Sequence, residues 1–164
     1  MPDVQIIKGY LPGSIGRVAE MHGTYYHRHW AFGLFFEAMV ATELAAFLGR
    51  YNEQRDGFWT AVVRGSIEGS IAIDGLHAAA EGAHLRWFVL SDALRGKGVG
   101  HQLLGTAIGF CQNHGNRRVY LWTFEGLNAA RYLYEKNGFR LVDQQKEARW
   151  GREVNEQRWE LKME

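Results

Sequence analysis

The chain is short of cysteine and proline and has no long apolar run. Among its 164 residues there are one cysteine, Cys111, and two prolines. A single cysteine excludes an intramolecular disulfide, and no Cys/His spacing typical of a metal site is present. Glu, Arg or Gly interrupts the apolar stretches well before the roughly 20 residues that a membrane helix needs. We therefore expect no metal, no membrane partner and, because a lone thiol suits a reducing compartment, a cytoplasmic location.

An excess of charge of either sign is also missing. Lys and Arg together number 19 and Asp and Glu 18, so the formal net charge is +1. This balance gives no reason to expect nucleic acid as a partner. The N-terminus, MPDVQIIKGYLPG, lacks the charged start and apolar run of a signal peptide. With 46% hydrophobic and 23% charged residues the composition is that of a globular protein, and residues 1–164 are expected to form one domain.

The chain does contain a regular alternation of strand-like and helix-like segments. The predicted order is β-α-α-β-β-β-α-β-α-β-β, and a mixed sheet of about seven strands with helices on both faces is its natural packing. Residues 22–30, HGTYYHRHW, fit neither period well. The predicted strands cover residues 4–7, 58–63, 66–73, 84–90, 118–124, 139–142 and 154–161, and the predicted helices begin near residues 14, 32, 99 and 127.

A glycine-rich loop, Arg95-Gly96-Lys97-Gly98-Val99-Gly100-His101, joins a predicted strand to a predicted helix. Alternating glycines let the backbone approach a ligand closely and leave N–H groups unpaired at the helix N-terminus. Such a terminus attracts anions, phosphate above all. A Walker loop would need Lys-Ser/Thr after its glycines, and a dinucleotide fingerprint would need an acidic residue about 20 residues further on. Neither is present, so the loop predicts another phosphate ligand or a glycine-rich turn with no ligand.

The pattern R-x-x-G-x-G, carried here by Arg95, Gly98 and Gly100, resembles the pyrophosphate-binding motif of GNAT acetyltransferases. The resemblance implies a mostly antiparallel central sheet and acetyl-CoA as co-substrate. It also implies that loop N–H groups hold the CoA pyrophosphate, while the backbone of the preceding strand pairs with the pantetheine arm. The cofactor-binding residues implied are Phe88, Val89, Leu90, Arg95, Gly96, Lys97, Gly98, Val99, Gly100, His101 and Asn128.

A second motif, residues 128–139, is similar to the helix that lies beside the cofactor thiol in this family. The resemblance assigns Tyr134 the role of supporting the departing thiolate, which a phenol with a pKa near 10 can do by donating a proton. Tyr132 faces elsewhere on the helix. Many family members have an asparagine seven residues before the tyrosine, where this chain has Leu127. Asn128, one residue later, either contacts the cofactor or caps the helix.

Three residues compete to remove the proton of the attacking amine. His84 lies eleven residues before Arg95, where histone-type members carry a glutamate, and otherwise is a histidine at a strand end. Glu43 falls within the apolar stripe of the second helix and otherwise pairs with an arginine of the sheet. Glu37, on the flank of that stripe, is otherwise a boundary residue. Water is a fourth possibility, and the sequence does not choose between them.

The sequence thus predicts an acetyl-CoA-dependent N-acetyltransferase acting by direct attack of a primary amine of a small molecule or peptide. Cys111 lies in an apolar helical stripe, which favours a core position over a covalent role.

Residues 25–30 either line an acceptor pocket or belong to the core and surface. The segments HGTYY and FEAMVA resemble GNAT domains fused to MarR-type regulators, and we expect a stand-alone relative, with a homodimer as one option. The alternative is a non-catalytic acyl-CoA-binding module on the same fold.

Overall fold

The structure is a computed structural model that describes residues 3–163. Seven strands and four of the five α-helices follow one another in the predicted order. The remaining helix is short and was not predicted. The strands are β1 (Val4–Lys8), β2 (Gly57–Val63), β3 (Ser66–Asp74), β4 (Ala83–Leu90), β5 (Arg118–Phe124), β6 (Arg140–Glu147) and β7 (Val154–Lys162). The helices are α1 (Ser14–Trp30), α2 (Leu34–Gly49), α3 (Ala78–Glu81), α4 (Val99–Asn113) and α5 (Asn128–Lys136), and a 3₁₀ turn covers Asp92–Leu94.

The strands form one sheet in the order β1-β2-β3-β4-β5-β7-β6. Every neighbouring pair is antiparallel except β4 and β5, which are parallel. The expected mixed, mostly antiparallel sheet of seven strands is therefore confirmed. No helix within residues 3–163 is long and apolar enough to cross a lipid bilayer.

A hydrophobic core lies on each face of the sheet. On one face, α4 and α5 pack against the sheet through residues such as Leu103, Leu104 and Tyr134. On the other face, α1 and α2 contribute Val18, Leu44 and others. Cys111 belongs to the first core, is fully buried, and burial raises the pKa of its thiol to about 12, so a thiolate is unavailable near neutral pH.

The segment that fits neither period in the sequence is helical. Helix α1 continues through residues 22–30 and ends where Ala31 adopts a left-handed conformation, with φ of 58°. The continuation is stabilised by packing, because Tyr26 and Trp30 contact Phe32 and Phe124 with ring centroids 5.7 to 6.2 Å apart. Tertiary contacts of this kind override weak local patterns.

Strands β4 and β5 separate soon after they begin. They pair only at Ala83–Val119 and His84–Tyr120, so the rest of β4 keeps an open edge toward β5. Strand β4 also carries a bulge opposite Ser70–Ala72, where Trp87 has a φ of 49° and its carbonyl accepts a hydrogen bond from Ser70 Oγ at 2.7 Å. A bulge bends a strand and increases its twist. The result is a wedge-shaped gap in the middle of the sheet.

Candidate functional site

Two cavities meet at the gap between β4 and β5. The first, of about 500 Å³, we call the glycine-loop cavity; its walls include Leu90, Arg95, Gly96, Gly98, Gly100, His101 and Asn128. The second, of about 430 Å³, we call the aromatic cavity; its walls include His22, Phe36, Glu43, His84, Arg86, Phe124, Arg149, Trp150 and Glu156. Four residues line both cavities: Tyr26, Phe88, Thr123 and Tyr134.

The glycine loop presents backbone donors at the start of α4. Gly96 and Gly98 have φ of 75° and 78°, in the left-handed region that favours glycine. Within residues 3–163, no acceptor is found for the N–H groups of residues 96–101, whereas the next one, of Gln102, donates to the carbonyl of Gly98 at 3.1 Å. Unpaired amides at the positive end of a helix dipole form an anion-binding site.

Helix α4 comes close to its neighbours at Gly100. A Cβ atom there would lie 3.2 Å from Leu133 Cδ1 and 3.3 Å from Leu90 Cδ1. Glycine therefore lets the first turn of α4 pack tightly between β4 and α5. This contact brings the loop and the helix that carries Tyr134 to opposite walls of one cavity.

The arginine of the loop is held by three contacts. Arg95 donates from Nη2 to the carbonyl of Leu90 and from Nε to Asp92 Oδ1, each at 3.0 Å, and its guanidinium lies over the ring of Tyr25 at 4.6 Å. Lys97 is exposed and Val99 is buried in the core; among the described residues, neither belongs to the cavity wall. Asn128 does; it is the first residue of α5, and Leu127 occupies the N-cap position.

Tyr134 stands where the two cavities join. Its side chain is 5% exposed and packs between Phe88 and Phe139, with ring centroids 6.2 and 5.7 Å away. Burial raises the pKa of Tyr134 above its usual value, so the phenol keeps its proton at neutral pH. No hydrogen-bond partner of its hydroxyl is found among residues 3–163. The hydroxyl is thus a protonated donor with no competing acceptor in the part of the chain described.

Of the three residues that compete as proton acceptors, two line the aromatic cavity. His84 stacks on Tyr120, and burial together with the charge of Arg86 lowers the pKa of its imidazole to about 3. Glu43 forms an ion pair with Arg86, the sheet arginine that the sequence left as its alternative partner. Glu37 is exposed over Gly23 of α1 and, among the described residues, belongs to neither cavity wall.

The aromatic cavity contains polar residues that the sequence did not single out. His22 is buried, donates from Nδ1 to the carbonyl of Val18 at 2.8 Å, and has a pKa lowered by burial to about 4. Glu156 is buried on β7 and accepts hydrogen bonds from Arg149 Nη2 at 3.0 and 3.3 Å. A signal existed for each: His22 lies four residues after Val18 and four before Tyr26, and Glu156 alternates with the buried Val154 along a strand.

Comparison with known proteins agrees with this arrangement. The model of the acetyltransferase (GNAT) family matches residues 18–139, about three-quarters of the chain. An acetyltransferase of the GNAT family from Staphylococcus aureus Mu50 is 18% identical, with 99% of this chain and 100% of that chain covered and a TM-score of 0.80. The protein yncA from Salmonella typhimurium, solved with its cofactor acetyl-CoA, is 15% identical, with 99% and 95% covered and a TM-score of 0.72.

A ribosomal-protein-alanine N-acetyltransferase from Brucella melitensis is 14% identical, with 97% of this chain and 99% of that chain covered and a TM-score of 0.75. No curated protein sequence matches this chain. At these identities the solved structures support the fold, while the family model covers the loop, the gap between β4 and β5, and Tyr134. The chain belongs to the GNAT family of acetyltransferases.

Proposed function

We propose that the protein transfers the acetyl group of acetyl-CoA to a primary amine by direct attack, with the donor in the glycine-loop cavity and the acceptor in the aromatic cavity. The observation that carries the proposal is the position of the Tyr134 hydroxyl, a protonated donor where the two cavities join. A transfer between two substrates needs such a junction, because the reacting atoms must come within about 3 to 3.5 Å of each other.

The glycine-loop cavity fits CoA by the chemistry of its donors. The unpaired N–H groups of residues 96–101 suit a pyrophosphate, and Arg95 adds a positive charge beside them. The open edge of β4, from Phe88 to Leu90, offers backbone groups to an extended pantetheine arm in the way that a sheet edge accepts an added strand. Asn128 and Tyr132 complete the wall on the side of α5.

When bound, acetyl-CoA supplies the thioester carbonyl that the amine attacks. A backbone N–H near Val89 or Leu90 polarises that carbonyl, because this part of β4 lies beyond the two residues that pair with β5. The amine nitrogen forms the new C–N bond as the C–S bond breaks. Tyr134 donates its proton to the departing thiolate and regains one from the nitrogen, so no net charge remains on the phenol.

The surroundings of the three competing bases separate them. A histidine whose pKa is about 3 is a poor proton acceptor for an ammonium, so His84 is assigned to the wall of the cavity. The Glu43 carboxylate is paired with Arg86, and Glu37 belongs to neither cavity wall among the described residues. None of the three is assigned as the base, and the residue that binds the ammonium is considered in the next subsection.

The test combines binding and turnover. Calorimetry with CoA measures association, and thiol release from acetyl-CoA is followed over a panel of primary amines with mass detection of the acetylated product. We expect heat of association and an acetylated amine. Binding without thiol release from any amine would instead favour a non-catalytic acyl-CoA-binding module, and absence of heat would contradict the assignment of the glycine-loop cavity.

A further inference from the structure

The aromatic cavity contains two ion pairs, and they differ in which partner is buried. In the first pair, the Arg86 side chain is 21% exposed and that of Glu43 is 40% exposed. In the second, the Glu156 side chain is only 5% exposed and that of Arg149 is 51% exposed. Because the more buried ion of a pair is the one that loses more hydration, it depends more on its partner.

The first pair is therefore arranged around an arginine. Arg86 also has Asp74 Oδ2 at 3.7 Å from Nη1, and its guanidinium lies 4.2 Å from the centre of the Trp87 ring. Glu43 completes the neutralisation of this cation. If the ammonium of an acceptor paired with Glu43, Arg86 would keep only its longer ion pair with Asp74. Glu43 is therefore a poor choice for binding a substrate ammonium.

The second pair is arranged around a carboxylate whose partner is replaceable. Within residues 3–163, Arg149 Nη2 is the only hydrogen-bond donor to Glu156, and Arg149 lies on the connection between β6 and β7 with half of its side chain in solvent. A carboxylate has about four lone-pair positions. Glu156 therefore keeps acceptor capacity toward the cavity, and its one cation is placed where water can solvate it after displacement.

We infer that the acceptor is a small zwitterion, an amino acid with an apolar side chain, whose ammonium binds Glu156 and whose carboxylate binds Arg149. This inference rests on the proposed function and deepens it. One buried ion pair is exchanged for two, so no charge in the cavity is left without a partner. An amine without a carboxylate would satisfy Glu156 and leave Arg149 unpaired.

The position of Glu156 suits the reacting amine. It faces Phe124 across the β5–β7 pair, and Thr123, the preceding residue of β5, lines both cavities together with Tyr134. The ammonium gives one proton to the Glu156 carboxylate, and the neutral amine then attacks the thioester. The second proton to leave the nitrogen balances the one that Tyr134 gives to the thiolate, so protons and charges are conserved.

The rest of the wall indicates the side chain of the acceptor. Phe36, Met39, Phe124 and Trp150 contribute apolar surface to the same cavity, and the Trp150 ring lies 5.5 Å from that of Phe36, edge to face, and 6.2 Å from that of Phe124. Burying an apolar group there gives about 25 cal/mol per Å² removed from water. The one polar group among these four residues is the indole N–H of Trp150, which is buried without a hydrogen-bond partner in the part of the chain described, and none of the four offers a charge to a charged side chain.

The experiment compares acceptors that share one side chain. For phenylalanine, leucine and methionine, the amino acid, its carboxamide and its decarboxylated amine are each assayed for thiol release from acetyl-CoA. We expect the amino acid of at least one set to exceed both analogues in kcat/KM by about tenfold to hundredfold, as the loss of a charge-assisted contact predicts. Arg149→Ala should remove this preference by lowering kcat/KM for the amino acid alone.

Matched variants in the same connection serve as controls. Arg152 donates to the carbonyl of Trp30 and belongs to neither cavity wall among the described residues, so Arg152→Ala should keep the preference. Glu156→Gln should lower kcat/KM for all three members of a set, whereas Glu153→Gln, at an exposed position, should not. Thermal melting with and without CoA checks that each variant is folded.

The outcomes separate this inference from the proposed function. Equal use of the amino acid, the carboxamide and the amine, or a preference unchanged in Arg149→Ala, would overturn the inference while leaving the acetyltransferase assignment intact. So would acetylation of other amines in the panel with none of the three amino acids accepted. Absence of heat with CoA would contradict the proposed function itself.

Discussion

The two cavities offer different kinds of chemical groups to a ligand, although they share four wall residues. The glycine-loop cavity offers backbone N–H groups at the start of one helix, together with a single arginine, and its donors do not depend on side-chain identity. The aromatic cavity offers side chains from α1, α2, β4, β5, α5, β6, β7 and the connection before β7. Backbone donors suit a ligand part that is always the same, while side chains from many elements determine which particular molecule fits.

This difference implies that the two cavities can be disabled separately. A change in the glycine loop should weaken cofactor binding and leave acceptor choice untouched. A change among the charged residues of the aromatic cavity should alter acceptor choice and leave cofactor binding untouched. Tyr134, which lines both, should affect turnover without affecting either affinity strongly. The predictions below test these separations.

The largest effect is expected for Gly98→Asp. The new carboxylate would lie among the N–H groups that we propose bind the pyrophosphate, at a φ of 78° that disfavours any side chain. We expect the affinity for CoA measured by calorimetry to fall on the order of 1,000-fold. Gly115→Asp is the matched control, because Gly115 has a φ of 73° and open space around its Cβ position at the other end of α4. Equal affinities for the two variants would contradict the assignment of the loop.

The next effect is expected for Tyr134→Phe, at the junction of the cavities. Removing the hydroxyl deletes the proposed proton donor for the thiolate and keeps the ring that packs against Phe88 and Phe139. Turnover should fall about 10-fold to 1,000-fold with nearly unchanged affinity for acetyl-CoA. Tyr10→Phe, at an exposed side chain that belongs to neither cavity wall among the described residues, should leave turnover within about a factor of two. An unchanged turnover number for Tyr134→Phe would remove this residue from the mechanism.

The fold was largely predictable from the sequence because its signals are local. Each strand or helix along the chain, the glycine loop and the motif around Tyr134 lies within a short stretch, and the observed bounds differ from the predicted ones mainly at the ends of elements. The full length of helix α1 was not predicted, because His22, a polar residue, interrupts the four-residue spacing of Val18, Tyr26 and Trp30. Strand β6 was also predicted too short, because Asp143 to Lys146 are polar and exposed on an edge strand.

The aromatic cavity was not predictable in the same way. Glu43 and Arg86 are 43 residues apart, and the pairing of Arg149 with Glu156 depends on the turn between β6 and β7. No sequence period brings such residues together; the topology of the sheet does. Glu43, within the apolar stripe of the second helix, and Glu37, on its flank, both competed as the base. Only Glu43 reaches the cavity wall, because Glu37 packs over Gly23 of α1.

A smaller effect, on stability, is expected for Glu43→Gln in the aromatic cavity. Arg86 would lose its closest carboxylate and keep Asp74 at 3.7 Å, so we expect unfolding to become easier by about 1 kcal/mol, since the pair is partly exposed. The affinity for CoA should not change. Glu20→Gln, which removes an exposed partner of Arg17 on α1, should have a smaller effect in chemical denaturation. A large loss of turnover in Glu43→Gln at unchanged stability would instead indicate a catalytic role.

The smallest effect concerns pH and the buried His22 in the wall of the aromatic cavity. Burial lowers its pKa from 6.5 to about 4 in the folded protein, so below pH 6.5 the unfolded chain binds a proton that the folded protein does not. The contribution of His22 to the free energy of unfolding is therefore fully present above pH 6.5. It falls as the pH decreases and levels off near pH 4. His22 should account for about 1 kcal/mol of the loss between pH 6.5 and 5.5.

Denaturant unfolding at these two pH values measures this contribution. In His22→Gln the loss over that interval should be smaller than in the native chain, and smaller than in His29→Gln, which changes an exposed histidine of the same helix. The glycine-loop cavity supplies the contrast, because the one histidine in its wall among the described residues, His101, is exposed. An equal pH dependence in the native chain and His22→Gln would show that the aromatic cavity admits enough water to solvate a charged imidazole, which would make it as open as its neighbour.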